Sequence, residues 1–211
     1  MKKRAIVFCA HSDDEAVGCS GTMLRLIDEG YYITKVVFSC GEMSHPHLKR
    51  KVATKQRIQE TEEISKKYGI QNTVFFNLTD SKLKKEVSSK QIEEKIHSIF
   101  KKQRPEKIFI PSAHDPHPDH RTVHKTITGF LKIEKCKCEI LCYEVWNLTE
   151  KSLPSVYVDI TKYYQKKLQM MRDFQSQWLS MYILLIPVRL RSRRYGKKID
   201  TKYAEKFYKL Q

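Results

Sequence analysis

Two short stretches of this chain concentrate the side chains that hold metals and move protons. The first is Ala10-His11-Ser12-Asp13-Asp14-Glu15. The second, about 100 residues further on, is His114-Asp115-Pro116-His117-Pro118-Asp119-His120. Together they place four histidines, four aspartates and one glutamate within thirteen residues. Imidazole with carboxylate is the donor set of a catalytic zinc that keeps a position open for water. Such an ion draws the pKa of its water towards ~7, and a carboxylate beside it can take the proton. In the first stretch, His11 and Asp14 stand at i and i+3 across a turn, a spacing that can bring both to one ion. Asp13 lies between them and can face the open position. Glu15 falls in a first helical turn, where a negative side chain suits the helix dipole. In the second stretch, His117 and His120 repeat the i, i+3 spacing. One can be a third ligand, and the other can face the substrate to hold an oxyanion or supply a proton. Asp119 can orient a neighbouring imidazole. Loop histidines and capping aspartates are the competing reading of either stretch alone. Two such clusters, each at a strand end, favour metal-assisted hydrolysis.

The elements that would position these residues alternate. Strand-like runs are expected at 4–9, 32–39, 73–78, 107–111 and 139–146. Helical stretches are expected at 15–29, 50–68, 88–103 and 119–132. The pattern predicts an α/β fold, a Rossmann-like, mostly parallel sheet with helices on both faces. Strands of such a sheet end on a common edge, where ligands bind. The zinc site is therefore expected at the strand C-terminal edge. After residue 150 the pattern changes, with a short strand at 156–160 and a helix from 162 to about 177 capped by Thr161.

With 211 residues and 40% hydrophobic content, the chain suits a single domain spanning 1–211. Its formal charge of +16 favours anionic partners. The lysines are nevertheless scattered among glutamates, and no nucleic-acid motif interleaves aromatics with them, so nucleic acid is set aside. The six cysteines do not read as a disulfide framework, and Cys136-Lys137-Cys138 lacks zinc-knuckle or redox spacing. No signal peptide is visible at Met1-Lys2-Lys3-Arg4-Ala5, so a reducing cytoplasm is the expected location.

The two motifs resemble those of the zinc-dependent N-acetylglucosaminyl deacetylases of the LmbE and PIG-L type. That family's Ala-His-Pro-Asp-Asp-Glu is matched by residues 10–15, with Ser12 in place of proline. Its Gly-rich helix entry is matched by Gly18-Cys19-Ser20-Gly21-Thr22, with Ser20 replacing a common glycine. Its Asp-x-His-Pro-Asp-His is matched by residues 115–120. Weaker matches run through Arg57-Ile58-Gln59-Glu60, Tyr68-Gly69-Ile70, Lys167 to Ser176-Gln177, and Tyr203-Ala204-Glu205-Lys206-Phe207. The resemblance implies one Zn2+ per chain held by His11, Asp14 and His120. It also implies Asp13 as general base, His117 as the substrate-facing histidine, and Arg57 and Asp80 as contacts to sugar hydroxyls. Asp119 remains the residue that orients an imidazole. The reaction so implied is removal of acetyl from an N-acetylglucosamine-type sugar or glycoconjugate, with Asp13 or His117 protonating the leaving amine. An amidase of the same fold acting on another N-acyl substrate, such as a thiol-conjugated sugar, and a non-catalytic binding member are the alternatives.

One stretch lies outside the motifs. Residues 178–188 are the most apolar in the chain, and Arg189, Arg191, Arg193, Arg194, Lys197 and Lys198 follow. The run is too short to span a membrane. It reads as a helix packed on the core or on a second subunit of a homo-oligomer, or as a peripheral contact with an anionic membrane.

Overall fold

In the computed structural model, residues 2–44, 49–134, 137–146 and 154–210 are described. Seven strands form one sheet in the order β3-β2-β1-β4-β5-β7-β6. They are β1 (Arg4–Cys9), β2 (Tyr32–Ser39), β3 (Asn72–Leu78), β4 (Lys107–Pro111), β5 (Glu139–Tyr143), β6 (Ser155–Asp159) and β7 (Ala204–Lys209). The first five in this order pair in parallel, as expected. β7 was not anticipated. It slots between β5 and β6 and runs antiparallel to both.

Eight α-helices are described: α1 (Asp14–Gly18), α2 (Ser20–Asp28), α3 (Arg50–Tyr68), α4 (Leu83–Glu86), α5 (Lys90–Gln103), α6 (Pro118–Glu134), α7 (Tyr164–Asp173) and α8 (Trp178–Gly196). Successive side chains of a strand point to opposite faces, and β1 is apolar at every position from Ala5 to Cys9, as a strand covered on both faces must be. Ala5, Val7 and Cys9 join one core with residues of α1, α2, α7 and α8. Ile6, Phe8 and Ala10 join the other with α5 and α6.

Three expected helices differ in detail. The stretch 15–29 breaks at Cys19, whose backbone leaves the helical region (φ −146°, ψ 10°). The stretch 162–177 is helical only over α7, with single 3-10 turns on either side. α8 continues through Pro187 to Gly196. The inward face that holds it, Met181, Leu184, Leu185, Val188 and Ser192, is buried on both sides of the proline.

The sheet order explains how two distant motifs meet. From β1 the chain moves outward to β2 and β3, then returns to place β4 on the other flank of β1. β1 and β4 are direct neighbours, with Ile6 opposite Ile108 and Val7 opposite Phe109. The crevice beyond their C-terminal ends is the topological switch point, where open α/β sheets bind ligands. The first motif leaves β1 there and the second leaves β4.

Candidate active site

The turn after β1 carries His11 to Asp14. Asp13 is the N-cap residue of α1, yet its side chain makes no cap hydrogen bond. A capping aspartate would spend its carboxylate on the helix N–H groups. Here Oδ1 lies 3.8 Å from Arg57 Nη2, and Asp13 lines the pocket. Asp14 does the reverse with one oxygen: Oδ2 accepts the backbone N–H of His11 at 2.9 Å. That bond fixes the carboxylate and leaves Oδ1 facing two imidazoles, 3.1 Å from His120 Nε2 and 3.8 Å from His11 Nδ1.

The outer nitrogens of both imidazoles meet carboxylates. His120 Nδ1 is 2.7 Å from Asp115 Oδ1. His11 Nε2 is 3.4 Å from both Asp80 and Asp119. Asp119 is itself fixed by the N–H of Ser81 at 2.9 Å, and Asp80 by the N–H of Met43 at 3.2 Å. His117 completes the group, its ring centroid 4.8 Å from that of His11 and 5.0 Å from that of His120. Its Nδ1 accepts the backbone N–H of Asp119 at 3.2 Å. The neutral ring then carries its proton on Nε2.

The electrostatics suit a cation. Burial alone would keep all three imidazoles neutral. For His120, buried desolvation is outweighed by the charges of Asp14 and Asp115, and its pKa is pushed up to about 9. For His11 it is outweighed by the hydrogen-bonding carboxylates of Asp119, Asp14 and Asp80, and the pKa rises well above the ordinary value. For His117 burial prevails, aided by the neighbouring imidazoles, and the pKa falls. Five carboxylates thus surround three imidazoles and the Arg57 guanidinium, an acidic setting that suits a bound cation.

Two nitrogens and one carboxylate oxygen converging with backed outer nitrogens fit a catalytic zinc. Two triads offer ligand atoms that all lie within 4.8 Å of one another: His11, His117 and His120, and His11, Asp80 and Asp119. Asp80 and Asp119 approach the opposite nitrogen of His11 from Asp14. Asp14 Oδ1 is the carboxylate oxygen that faces both histidines.

A cavity of about 160 Å3 opens over this group. Its polar lining includes His11, Asp13, Asp14, Arg57, Asp80 and His117, and its apolar wall includes Trp146, Met181 and Leu184. Every catalytic, metal and substrate residue expected from the sequence therefore falls in or directly behind one pocket. A larger cavity of about 720 Å3 beside α5 and α6 contains none of them. Arg57 is buried, and its Nη1 donates to Gly41 O at 2.6 Å. Gly41 adopts φ +71°, and a Cβ there would stand 2.7 Å from the guanidinium, so both features of this glycine are used.

Sequence reasoning assigned no role to Asp115. Besides contacting His120, it accepts the N–H of His117 at 2.9 Å and of Trp146 at 3.0 Å. The signal was its place at the head of the second motif. His114 is exposed and outside the cluster. Lys167 and Glu205 were noted only as weak matches. Glu205 accepts the N–H groups of Gly21 and Thr22 at the start of α2, and Lys167 donates to Glu205 and to Val17 O, each at 2.7 Å. The pair ties the break at Cys19 to the last strand. Among the described residues Cys9, Cys19, Cys40 and Cys142 are free and buried, and Cys138 is disulfide-bonded. Cys136 lies outside the described residues.

A mostly parallel sheet with imidazoles, carboxylates and a small pocket at its switch point is the layout of a hydrolytic α/β enzyme. The chain belongs to the GlcNAc-PI de-N-acetylase (PIG-L) family, whose profile matches residues 6–131. It is 24% identical to the diacetylchitobiose deacetylase of Thermococcus kodakarensis, over 96% of this chain and 81% of that protein. It is 25% identical to the probable N-acetyl-alpha-D-glucosaminyl L-malate deacetylase 2 of Bacillus cereus, over 86% of each. Its fold matches the N,N'-diacetylchitobiose deacetylase of Pyrococcus horikoshii in complex with an inhibitor, with a TM-score of 0.83 and 23% identity, covering 99% of this chain and 84% of that one.

Proposed function

We propose that this protein hydrolyses the acetamide of an N-acetylglucosamine-type sugar or glycoconjugate, releasing acetate and the free 2-amine, with zinc held by His11, Asp14 and His120. The observation that carries this reading is the convergence of His11 Nδ1 and His120 Nε2 on Asp14 Oδ1, beneath a pocket that Asp13 and His117 also line. Zinc bound there would polarise the amide carbonyl and acidify water. Asp13, which leaves the helix uncapped, takes the proton of the attacking water as its oxygen bonds to the carbonyl carbon. His117 offers its Nε2 proton to the oxyanion that forms. Such preorganised donors are commonly the largest catalytic contribution. Asp13 then returns its proton to the nitrogen as the C–N bond breaks.

The pocket volume supports an acyl-amide occupant. At about 160 Å3 it is well below the ~300–1,000 Å3 that enclose a drug-sized ligand. The acetamido group fills it, and the sugar ring sits at the mouth against Trp146, with Arg57 and Asp80 at the hydroxyls. The chain's net charge of +16 suits an acidic or phosphorylated aglycone.

The test is metal content together with acetate release from a panel of N-acetylglucosaminides that differ in aglycone. About one zinc per chain is expected. Asp13→Ala should keep the ion and lose kcat by at least ~100-fold. Metal loss in that variant would make Asp13 a ligand and remove the proposed base.

A further inference from the structure

The outward face of α8 is not used by the site, and its composition is unusual for a surface. Trp178, Leu179, Tyr182, Ile183, Ile186 and Leu190 are each between 56% and 64% exposed. Residues 178, 182, 186 and 190 recur at about one helical turn, on the side opposite the buried Met181, Leu184, Leu185 and Val188. The next turns of the same outward side are basic, with Arg189, Arg193, Arg194 and Lys197 all exposed. Arg191, which the sequence grouped with them, is different: it donates to Val145 O, Glu144 O and Val17 O and braces the pocket wall.

We propose that the outward face of α8 docks on an anionic lipid surface. An in-plane helix sinks apolar side chains to the headgroup boundary while its cations meet lipid phosphates. No helix among the described residues is long and apolar enough to cross a membrane, so the contact is peripheral. Trp and Tyr favour that boundary because one end of each is apolar and the other polar. Charge selects this occupant over a second copy of the chain. The exposed apolar residues run directly into exposed Arg189, Arg193, Arg194 and Lys197, a charge that complements lipid phosphates, whereas a second copy of the chain would bring the same +16. The inward side of α8 supplies Met181 and Leu184 to the pocket, so a docked surface lies beside its mouth.

The experiment is co-sedimentation of the whole protein with phosphatidylcholine vesicles, with and without phosphatidylglycerol, across a salt series. The probes are wild type, Ile183→Ser/Ile186→Ser and Arg189→Ser/Arg193→Ser/Arg194→Ser, with circular dichroism to confirm folding. Binding only to the anionic vesicles, weakened by salt and about tenfold or more lower in both variants, is expected. Equal binding by wild type and the Ile variant would reduce the effect to general basicity and overturn the docking face. So would no binding at low salt. A wild-type oligomer by light scattering that becomes monomeric in the Ile variant would assign the face to a second copy instead.

Discussion

Asp115 stands 2.7 Å from Nδ1 of His120, on the side of the ring away from Asp14. It is fully buried, and its other oxygen holds the backbone of Trp146 at the pocket wall. A carboxylate in this position fixes the tautomer and raises the basicity of a ligating imidazole. Asp115→Ala should therefore weaken zinc affinity by about 10–100-fold, read by competition with a chromogenic chelator. An unchanged affinity would reduce Asp115 to a loop anchor.

The choice of carboxylate ligand has its own test. Asp14→Ala should abolish stoichiometric zinc, whereas Asp80→Ala should retain it and raise KM. Metal content by atomic emission on the two purified variants separates these outcomes. Retention in Asp14→Ala with loss in Asp80→Ala would move the ion to the opposite nitrogen of His11.

Lys167 and Glu205 form a buried ion pair. Removing one partner leaves an uncompensated buried charge, which costs about 3–5 kcal/mol. Lys167→Met should lower stability by that order in urea unfolding, and Lys167→Met/Glu205→Gln should recover part of it. Additive losses would mean the two side chains act independently.

Asp173 joins α3 to α7 through Lys67 and Tyr68, at 2.7 and 2.8 Å. Burial raises its pKa, but the hydrogen bonds from Lys67, Gln169 and Tyr68 outweigh it and hold the carboxyl below the usual range. A depressed folded-state pKa contributes stability above the unfolded value, near ~3.9, and loses it as pH falls through the folded one. Lys67 is largely exposed, so the contribution is discounted to about 1 kcal/mol. Asp173→Asn should be less stable than wild type by that amount at pH 6, with the gap shrinking at pH 3. A gap independent of pH would rule out the charge as its source.

The parallel half of the sheet was legible because β1, β4 and β5 are nearly continuous apolar runs and β2 and β3 are rich in β-branched and aromatic residues, and both motifs announced themselves by residue type. Less visible features had physical disguises. β7 reads Ala204-Glu205-Lys206-Phe207-Tyr208-Lys209, where a buried Glu205 breaks the apolar pattern and is tolerable only beside Lys167 and the start of α2. Pro187 removes a backbone donor and disfavours a helix interior, yet packing of the inward face carries α8 past it. Arg57 sits on a helix with few apolar residues. Its burial follows from the one-sided row Ala53, Arg57, Thr61, Ile64 and Tyr68, which periodicity of hydrophobic residues does not register. Asp115 was in plain view, but its partner His120 became apparent only once the loop after β4 had a shape.

The hydrogen bond that Gly21 N–H donates to Glu205 joins residues 184 positions apart. During synthesis, β1, its turn and the helices after it emerge first, while the carboxylate that holds the start of α2 follows 184 residues after Gly21. Contacts of such separation are slow to form because long loops must close first. The turn that carries His11, Asp13 and Asp14 is therefore expected to settle only after translation has delivered β7. A ribosome-stalled chain ending before residue 204 should be unable to retain zinc, which couples competence for metal uptake to the synthesis of β7.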